Sequence, residues 1–363
     1  MAKGIIIGGG IIGLSIARGL EKRGYQVVVL DKDRIGYGAS WVAGGMLAPQ
    51  AEGLKIGKFL EFCLESRNMY KEFTDSLTED TGIKVNYWKS GIFCPAFNES
   101  EAEQLISKMN EYKKQGLSGY WIDREDIEKN YLSLGKEIIG GVLYPDDGQV
   151  DNRLLMEALK EYAYSKDNIE VMNETKVEKI IETNGEFKGV KTNNGIIEGD
   201  FCVLTAGAWS GEILDIPVFP IKGEMLGVDI EIGEIDRVFF SSRAYIIPRF
   251  DYSRLVVGAT EERVGFQDGN TVRGIKSLLK GLTDTFPHFK NKNIQEIWFG
   301  YRPGTTDLDP ILGEYEIKNL YIATGHYRNG ILLAPITEKL IVELIDENKE
   351  DEYIKIFSWK RFI

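Results

Sequence analysis

Histidine and cysteine are scarce in this sequence, with two histidines and three cysteines among 363 residues. The cysteines are odd in number and show no C-x-x-C spacing, which disfavours a disulfide framework or a zinc site, so we expect each to be a small buried residue. Only His288 and His326 are available for a histidine-based metal cluster or a Ser-His-Asp triad, which disfavours both kinds of site. The sequence therefore gives no indication of a metal centre.

A positive charge excess and long hydrophobic runs are also missing. The formal net charge is −12 at pH 7, which would repel a nucleic-acid backbone, and no basic stripe is present. No apolar run reaches the length of a membrane span, and the apolar run that begins at Ile5 is too short for a signal-peptide core. We expect a cytoplasmic protein without nucleic-acid or membrane partners.

The chain is organised around a glycine-rich turn near its start, in the sequence I-I-I-G-G-G-I-I-G. In a dinucleotide-binding turn, Gly8 would permit the sharp bend after the first strand. Gly10 would let a pyrophosphate approach the backbone, and Gly13 would let the following helix pack closely on the sheet. Free N–H groups and the positive end of the helix dipole would form an anion site without any basic side chain.

The elements that should follow such a turn are present in order. An apolar helical stripe runs from Ile12 to Leu20, Gly24 lies just beyond it, and a second apolar run at 27–30 ends at Asp31. The Asp31 carboxylate could accept hydrogen bonds from both hydroxyls of an adenosine ribose and would disfavour a 2′-phosphate. The order disfavours a merely structural glycine-rich turn and predicts that FAD or NAD is bound.

A run of small and apolar residues at 36–49 shows no clear helical or strand period. A flexible surface loop would be more polar, so we interpret this run as backbone pressed against a flat ring system. A nicotinamide enzyme has no need of such a segment at this point. The run therefore favours FAD over NAD.

This run and five further motifs resemble the D-amino-acid-oxidase-like flavoproteins, and among them the glycine oxidases of thiamine biosynthesis. The motifs lie at 39–47, 220–224, 244–249, 255–260, 300–307 and 325–335. The resemblance extends nearly end to end, although the family more often has glutamate where this chain has Asp31. It implies non-covalent FAD, and a homo-oligomer, commonly a tetramer. It implies cofactor contacts from Gly8, Gly10, Ile11, Ile12, Gly13, Asp31, Lys32, Ala39, Ser40, Gly44, Gly45, Met46, Val177, Gly207, His326, Tyr327, Arg328, Asn329, Gly330, Ile331 and Leu332.

The resemblance also singles out Arg302, Tyr245 and Arg328 as candidates for substrate contact. The planar guanidinium of Arg302 suits a bidentate pair with an amino-acid carboxylate, whereas a lone arginine would otherwise be read as a surface ion pair. Tyr245 could instead be an ordinary sheet aromatic with its hydroxyl at the surface. Arg328 could contact the neighbourhood of the cofactor more than the substrate. The 325–330 loop would point the helix at 331–345 towards the flavin.

The implied fold is an α/β (α+β two-domain) one, in which a Rossmann-like FAD-binding domain is interleaved with a β-sheet-rich substrate domain. We assign 1–85, 146–217 and 298–363 to the first and 86–145 and 218–297 to the second. Apolar alternation in the second domain predicts one sheet with a covered face. Other predicted elements are helices at 59–77, 99–115 and 151–166, a strand at 88–95 and a hairpin at 194–195, with Asp151 as an N-cap.

The implied activity is oxidation of glycine, sarcosine or D-alanine, with hydride transfer from the α-carbon to the flavin and hydrolysis of the imino acid. The glycine imine would supply thiazole synthesis. No second G-x-G-x-x-G motif occurs, so electrons would pass to oxygen or another external acceptor. The alternatives are a sarcosine oxidase or D-amino-acid dehydrogenase of the same fold, a tRNA-modifying relative, which the acidic balance disfavours, and a non-catalytic flavin-binding protein.

Overall fold

In the residues that the structure describes, the strands form four sheets. The computed structural model describes residues 2–130, 134–251 and 253–363. The strands in these residues are β1 (Lys3–Ile7), β2 (Gln26–Leu30), β3 (Met46–Leu47), β4 (Tyr87–Trp88), β5 (Ile92–Ala96), β6 (Tyr120–Asp123), β7 (Gly140–Tyr144), β8 (Gly148–Val150), β9 (Ile169–Met172), β10 (Val177–Thr183), β11 (Glu186–Thr192), β12 (Gly195–Glu198), β13 (Phe201–Leu204), β14 (Phe219–Val228), β15 (Val238–Phe240), β16 (Tyr245–Pro248), β17 (Leu255–Gly258), β18 (Ile294–Gly304), β19 (Ile311–Glu314) and β20 (Leu320–Thr324).

Helices connect and cover these sheets. They are α1 (Ile11–Lys22), α2 (Ala39–Val42), α3 (Lys58–Thr81), α4 (Glu99–Lys114), α5 (Arg124–Glu128), α6 (Asn152–Ser165), α7 (Ser210–Ile213), α8 (Val272–Thr285), α9 (Gly330–Glu347) and α10 (Glu352–Ile356), with short 3₁₀ turns at Gly207–Trp209, Pro287–Asn291 and Trp359–Phe362. In the described part of the chain, no helix is both long enough and apolar enough to cross a membrane.

A six-stranded sheet carries the glycine-rich turn, with strand order β19-β20-β13-β1-β2-β9. Only the β19–β20 pair is antiparallel. Side chains alternate across β1, so that Ile6 joins a core with α1, α3, α6 and α9, whereas Ile5 and Ile7 join a core under the β10–β11–β12 sheet. Burial on both faces explains the continuous apolar runs of these strands. The predicted Rossmann-like arrangement is confirmed.

An eight-stranded sheet has the order β18-β14-β17-β16-β15-β5-β7-β6, in which only β15 and β5 are parallel neighbours. One face packs against α8 through Leu278 and Leu282. The other face joins a second core that contains Met225 and Ile247. The predicted covered face is present, and the second face is covered as well. The reason is that a cavity wall and loops from the first part of the chain pack on the second face.

The two large sheets draw their strands alternately from the chain, as the interleaved fold requires. The six-stranded sheet uses 3–30, 169–172, 201–204 and 311–324, and the eight-stranded sheet uses 92–144 and 219–304. The β18 strand crosses the boundary that we placed between 297 and 298. The interleaving agrees with the prediction, and the domain bounds remain a proposal.

Local predictions hold with small shifts of the element ends. The Asp151 side chain accepts from the N–H groups of Arg153 and Leu154, which confirms it as the N-cap of α6. The strand predicted at 88–95 is divided into β4 and β5, because Gly91 turns the backbone with φ of +74°. The predicted hairpin joins β11 to β12, with Asn193 and Asn194 between the paired ends.

Candidate active site

A cavity of about 830 Å³ lies where the carboxyl ends of β1, β2, β13 and β20 face the eight-stranded sheet. Parallel α/β sheets bind ligands at this edge of the sheet. The cavity is also lined by the starts of α1 and α9 and by residues of β14, β16 and β18. Its walls thus come from both large sheets.

The glycine-rich turn is close-packed at the positions the sequence predicted. Gly8 has φ of +110°, and a Cβ there would lie 2.5 Å from the Thr205 carbonyl oxygen. A Cβ on Gly13 would lie 2.0 Å from the Gly8 carbonyl oxygen. The Thr205 hydroxyl donates to the Gly8 carbonyl at 2.8 Å, and this hydrogen bond stabilises the turn. Any residue larger than glycine at position 8 or 13 would therefore displace the backbone that faces the cavity.

Asp31 directly follows β2, beside this turn, and lines the cavity. Its carboxylate accepts from the N–H groups of Gly9 at 2.8 Å and Asp33 at 2.9 Å. Burial raises the pKa of this carboxyl above its usual value. A carboxylate has about four acceptor positions, so two remain for the hydroxyls of a ribose.

The small-residue segment is held against the cavity by a buried arginine and a buried asparagine. Arg249 donates to the Gly44 carbonyl at 3.0 Å and to the Asn152 amide oxygen at 2.7 Å. Asn152 in turn donates to the carbonyls of Ser40 and Trp41 at 2.8 and 2.9 Å. Burial lowers the pKa of Arg249 to about 10. We call this pair of residues, Arg249 and Asn152, the clamp. The clamp is contrary to a flexible loop at 36–49. The sequence did not predict it, although Arg249 is the last residue of the motif at 244–249.

The second loop at the cavity leads into α9. Gly325 and Tyr327 have left-handed φ angles of +73° and +48°, and they turn the chain so that Gly330 begins α9 at the cavity. His326 is buried with its Nε2 3.1 Å from the Thr337 hydroxyl, and burial lowers its pKa to about 3. The imidazole is therefore neutral at ordinary pH. The positive end of the 18-residue helix α9 faces the cavity and can stabilise negative charge there.

Most residues predicted to contact the cofactor line this one cavity. They are Gly8, Gly10, Ile11, Ile12, Asp31, Lys32, Ala39, Ser40, Gly44, Gly45, Met46, Val177, Gly207, His326, Tyr327, Arg328, Gly330 and Ile331. Three others do not line it. Gly13 packs beneath the turn, Asn329 precedes α9, and Leu332 is in the core, with its carbonyl accepting from Ser66 at 2.6 Å.

The three substrate candidates line the same cavity, on different walls. Arg302 donates to the Thr260 carbonyl at 3.0 Å, and no Asp or Glu oxygen of the described residues lies within 4.0 Å of its guanidinium nitrogens. A Cβ on Gly223 would lie 2.4 Å from Nη1 of Arg302, so any side chain at this position would push the guanidinium out of its observed place. Arg302 is thus a half-buried cation without a carboxylate partner, which is contrary to a surface ion pair.

Arg328 and Tyr245 have different surroundings. Arg328 lies 3.4 Å from a Glu52 oxygen and 3.7 Å from a Glu261 oxygen, and the Glu52 charge is the main cause that raises its pKa. Tyr245 is only 8% exposed, with its hydroxyl 3.8 Å from the Met225 sulfur. The hydroxyl is therefore inside the cavity wall and not at the surface.

The chain matches the FAD dependent oxidoreductase family (DAO) over residues 4–344. It belongs to this family. A bifunctional protein ThiO/ThiG of Trichormus variabilis is 41% identical over 362 residues, which cover 99% of this chain and 55% of that protein. The chain thus spans about half the length of that relative. A glycine oxidase of Bacillus licheniformis is 33% identical, over 98% of this chain and 96% of its own length. The crystal structure of glycine oxidase from Geobacillus kaustophilus is 30% identical, with a TM-score of 0.94 over the whole of both chains.

The cavity of this FAD-dependent oxidoreductase fits the cofactor of its family. The turn after β1 leaves room only for backbone, Asp31 offers acceptors for a ribose, and a second helix end is available for the ring system. A nicotinamide dinucleotide would leave the second helix end without a role. The predicted FAD is therefore the group that uses the whole cavity.

The flavoprotein cavity also contains residues that sequence reasoning did not identify. Glu52, Trp209, Asp268 and Phe299 all line it. Asp268 accepts from the Tyr301 hydroxyl at 2.6 Å, next to Arg302 in the strand. A single acidic residue in a loop carries no recognisable pattern, so nothing in the sequence indicated that Glu52 faces Arg328.

Proposed function

We propose that the protein oxidises glycine and other small amines that carry one carboxylate, such as sarcosine and D-alanine. The observation that carries the proposal is Arg302 in the wall of the cavity, a half-buried arginine for which the described residues offer no carboxylate partner. An arginine is always charged, and its planar fork matches a carboxylate. The glycine oxidases among the relatives support the same substrate class.

The cofactor would be held without a covalent bond by the glycine-rich turn, Asp31, the clamped segment and the start of α9. Bound FAD supplies the acceptor for the hydride that leaves the α-carbon of the amine. All three cysteines are buried, and none of them lines the cavity, so no thiol is available for attachment.

The protein residues would mainly orient the substrate. Arg302 would hold the carboxylate, and the Tyr245 wall would limit the side chain. His326 is neutral and already bonded to Thr337, so it is not assigned as a base. The amine must then arrive neutral or lose its proton in the site. Water would hydrolyse the resulting imino acid to an oxo acid and ammonia or an amine.

The electron acceptor, the pathway and the assembly complete the proposal. Oxygen would be reduced to hydrogen peroxide, or another external acceptor would take the electrons. We propose that the glycine imine supplies thiazole synthesis in thiamine biosynthesis, in line with the ThiO/ThiG name of the relative. We also propose a cytoplasmic homo-oligomer, a tetramer by family resemblance.

Anaerobic mixing of the FAD-loaded protein with glycine, sarcosine, D-alanine, D-proline and D-phenylalanine tests the function. The visible absorbance of the flavin should bleach fastest with the small substrates. Faster reduction by D-phenylalanine than by glycine would contradict the size limit. Absence of bleaching by every amine would overturn the proposal and favour a non-catalytic flavin-binding protein. If oxygen is the acceptor, its admission to the glycine-reduced protein should restore the flavin absorbance and yield hydrogen peroxide.

A further inference from the structure

The two arginines of the cavity differ in their charge partners. Arg302 has no carboxylate within ion-pair distance among the residues described. Arg328 has two, since its Nε lies 3.4 Å from Glu52 and its Nη1 lies 3.7 Å from Glu261. One positive charge is thus matched by two negative charges. Because the two arginines line one cavity, the difference bears on which ligands the cavity accepts.

Three separate parts of the chain create this arrangement. Glu52 follows the small-residue segment, lines the cavity and has a side chain only 10% exposed. Glu261 follows β17, and its side chain is 46% exposed; it reaches Arg328 without lining the cavity itself. Burial, followed by the neighbouring Glu261 carboxylate, raises the pKa of Tyr327 to about 12. The Arg328 guanidinium therefore lies between a buried carboxylate and a more exposed one.

The free-energy cost of binding a ligand carboxylate would differ between the two arginines. At Arg302 it would replace only contacts with backbone carbonyls. At Arg328 it would have to displace one glutamate from its ion pair and remain close to the other, which adds repulsion between like charges. Specificity commonly comes from such unfavourable contacts with the wrong ligand.

We propose that Glu52 and Glu261 are specificity-determining residues that restrict the site to amines with a single carboxylate. They do so by occupying Arg328, so they are positioning residues and not catalytic ones. The excluded class is amines with a second carboxylate near the first, such as D-aspartate or iminodiacetate. This inference rests on the proposed function, because it takes Arg302 as the anchor of the substrate carboxylate.

A binding titration of the FAD-loaded protein tests the inference without turnover. Acetate and malonate serve as probes with one and two carboxylates, and the visible absorbance of bound FAD reports their binding. In the unchanged protein, malonate should bind no more tightly than acetate. In Glu261→Gln, the preference for malonate over acetate should rise about fivefold to tenfold, because a partly exposed charge is removed from Arg328. Glu261→Asp, which retains the charge, should keep the original preference.

A matched control separates this effect from general electrostatics. Glu65 is 44% exposed and lies 3.6 Å from Lys339, so it resembles Glu261 in exposure and pairing, but its partner Lys339 does not line the cavity as Arg328 does. Glu65→Gln should leave the malonate preference unchanged. Adding Arg328→Gln to Glu261→Gln should abolish the gain. Glu52→Gln should act in the same direction, and Glu261→Gln remains decisive if the more buried substitution impairs folding.

Several results would overturn the inference. One is tighter binding of malonate than of acetate by the unchanged protein. The others are a change below twofold in Glu261→Gln, an equal gain in Glu65→Gln, and a gain that survives the loss of Arg328. If acetate and malonate fail to bind to any variant, the inference also fails, because Arg302 would not be an anion site. Failure of the flavin to be reduced by glycine would instead concern only the proposed function, since the titration needs no oxidation.

Discussion

Arg302→Ala should retain FAD and the fold but lose affinity for amino acids. In the structure, Arg302 makes one good hydrogen bond to the protein, 3.0 Å to the Thr260 carbonyl, and a longer contact of 3.5 Å to the Lys222 carbonyl. Loss of one such bond from a charged donor should lower the free energy of unfolding by about 1–3 kcal/mol. That is a modest loss for a domain of this size, so the variant should remain folded.

The effect on substrate binding should be larger than the effect on stability. Removal of one partner of a desolvated, hydrogen-bonded charge pair costs about 2–5 kcal/mol, which is about 30-fold to several thousand-fold in affinity. An exposed ion pair would cost under about 1 kcal/mol. Arg302→Lys should rescue only part of the loss, because it keeps the charge and not the planar fork.

The assay is the glycine concentration for half-maximal anaerobic reduction of the flavin, with thermal stability and FAD content measured in parallel. Arg243→Ala is a suitable control, because Arg243 pairs with two carboxylates, Glu137 and Asp284, and does not line the cavity. It should leave glycine affinity unchanged. Normal glycine binding by Arg302→Ala, or failure only through unfolding, would refute the role of Arg302. An equal loss for an amine that lacks a carboxylate would refute it too.

Three further predictions concern the cofactor and its surroundings. Gly13→Ala should lose FAD and about 1–3 kcal/mol of stability, because its Cβ would lie 2.0 Å from the Gly8 carbonyl oxygen; full FAD content at unchanged melting temperature would contradict this. His326 has a folded pKa of about 3 against 6.5 unfolded, so the stability it contributes is present above pH 6.5 and is lost as pH falls towards 3. The loss should be about 2 kcal/mol at pH 5, and His326→Asn should flatten the fall in unfolding free energy between pH 8 and 5; an unchanged slope would exclude this origin. Heat denaturation should release all of the FAD intact, and yellow colour that remains with the denatured chain would disprove non-covalent binding.

Local features of the site were predictable because neighbouring residues encode them. The turn at Gly8 and Gly13 is a steric requirement of consecutive backbone, and Asp31 follows a strand whose apolar run marks its end. The helix α9 and its N-terminal loop were identified in the same way, within two residues at each end. Periodicity indicated a covered face of the eight-stranded sheet, but it could not reveal what packs on the second face.

The sequence by itself determined the dinucleotide turn, because its glycines answer a steric requirement of consecutive backbone. The interleaved fold class and the three candidates for substrate contact followed from motifs that resemble those of a known family, and the role of the three candidates stays a prediction. Only the tertiary structure decided that Arg328 is paired with carboxylates and Arg302 is open to a ligand. The reason is that Glu52 and Glu261 reach Arg328 from loops far apart in the chain. The clamp of Arg249 on the small-residue segment likewise joins residues about 200 positions apart. Such pairings depend on how the sheets pack together, and no local pattern encodes them.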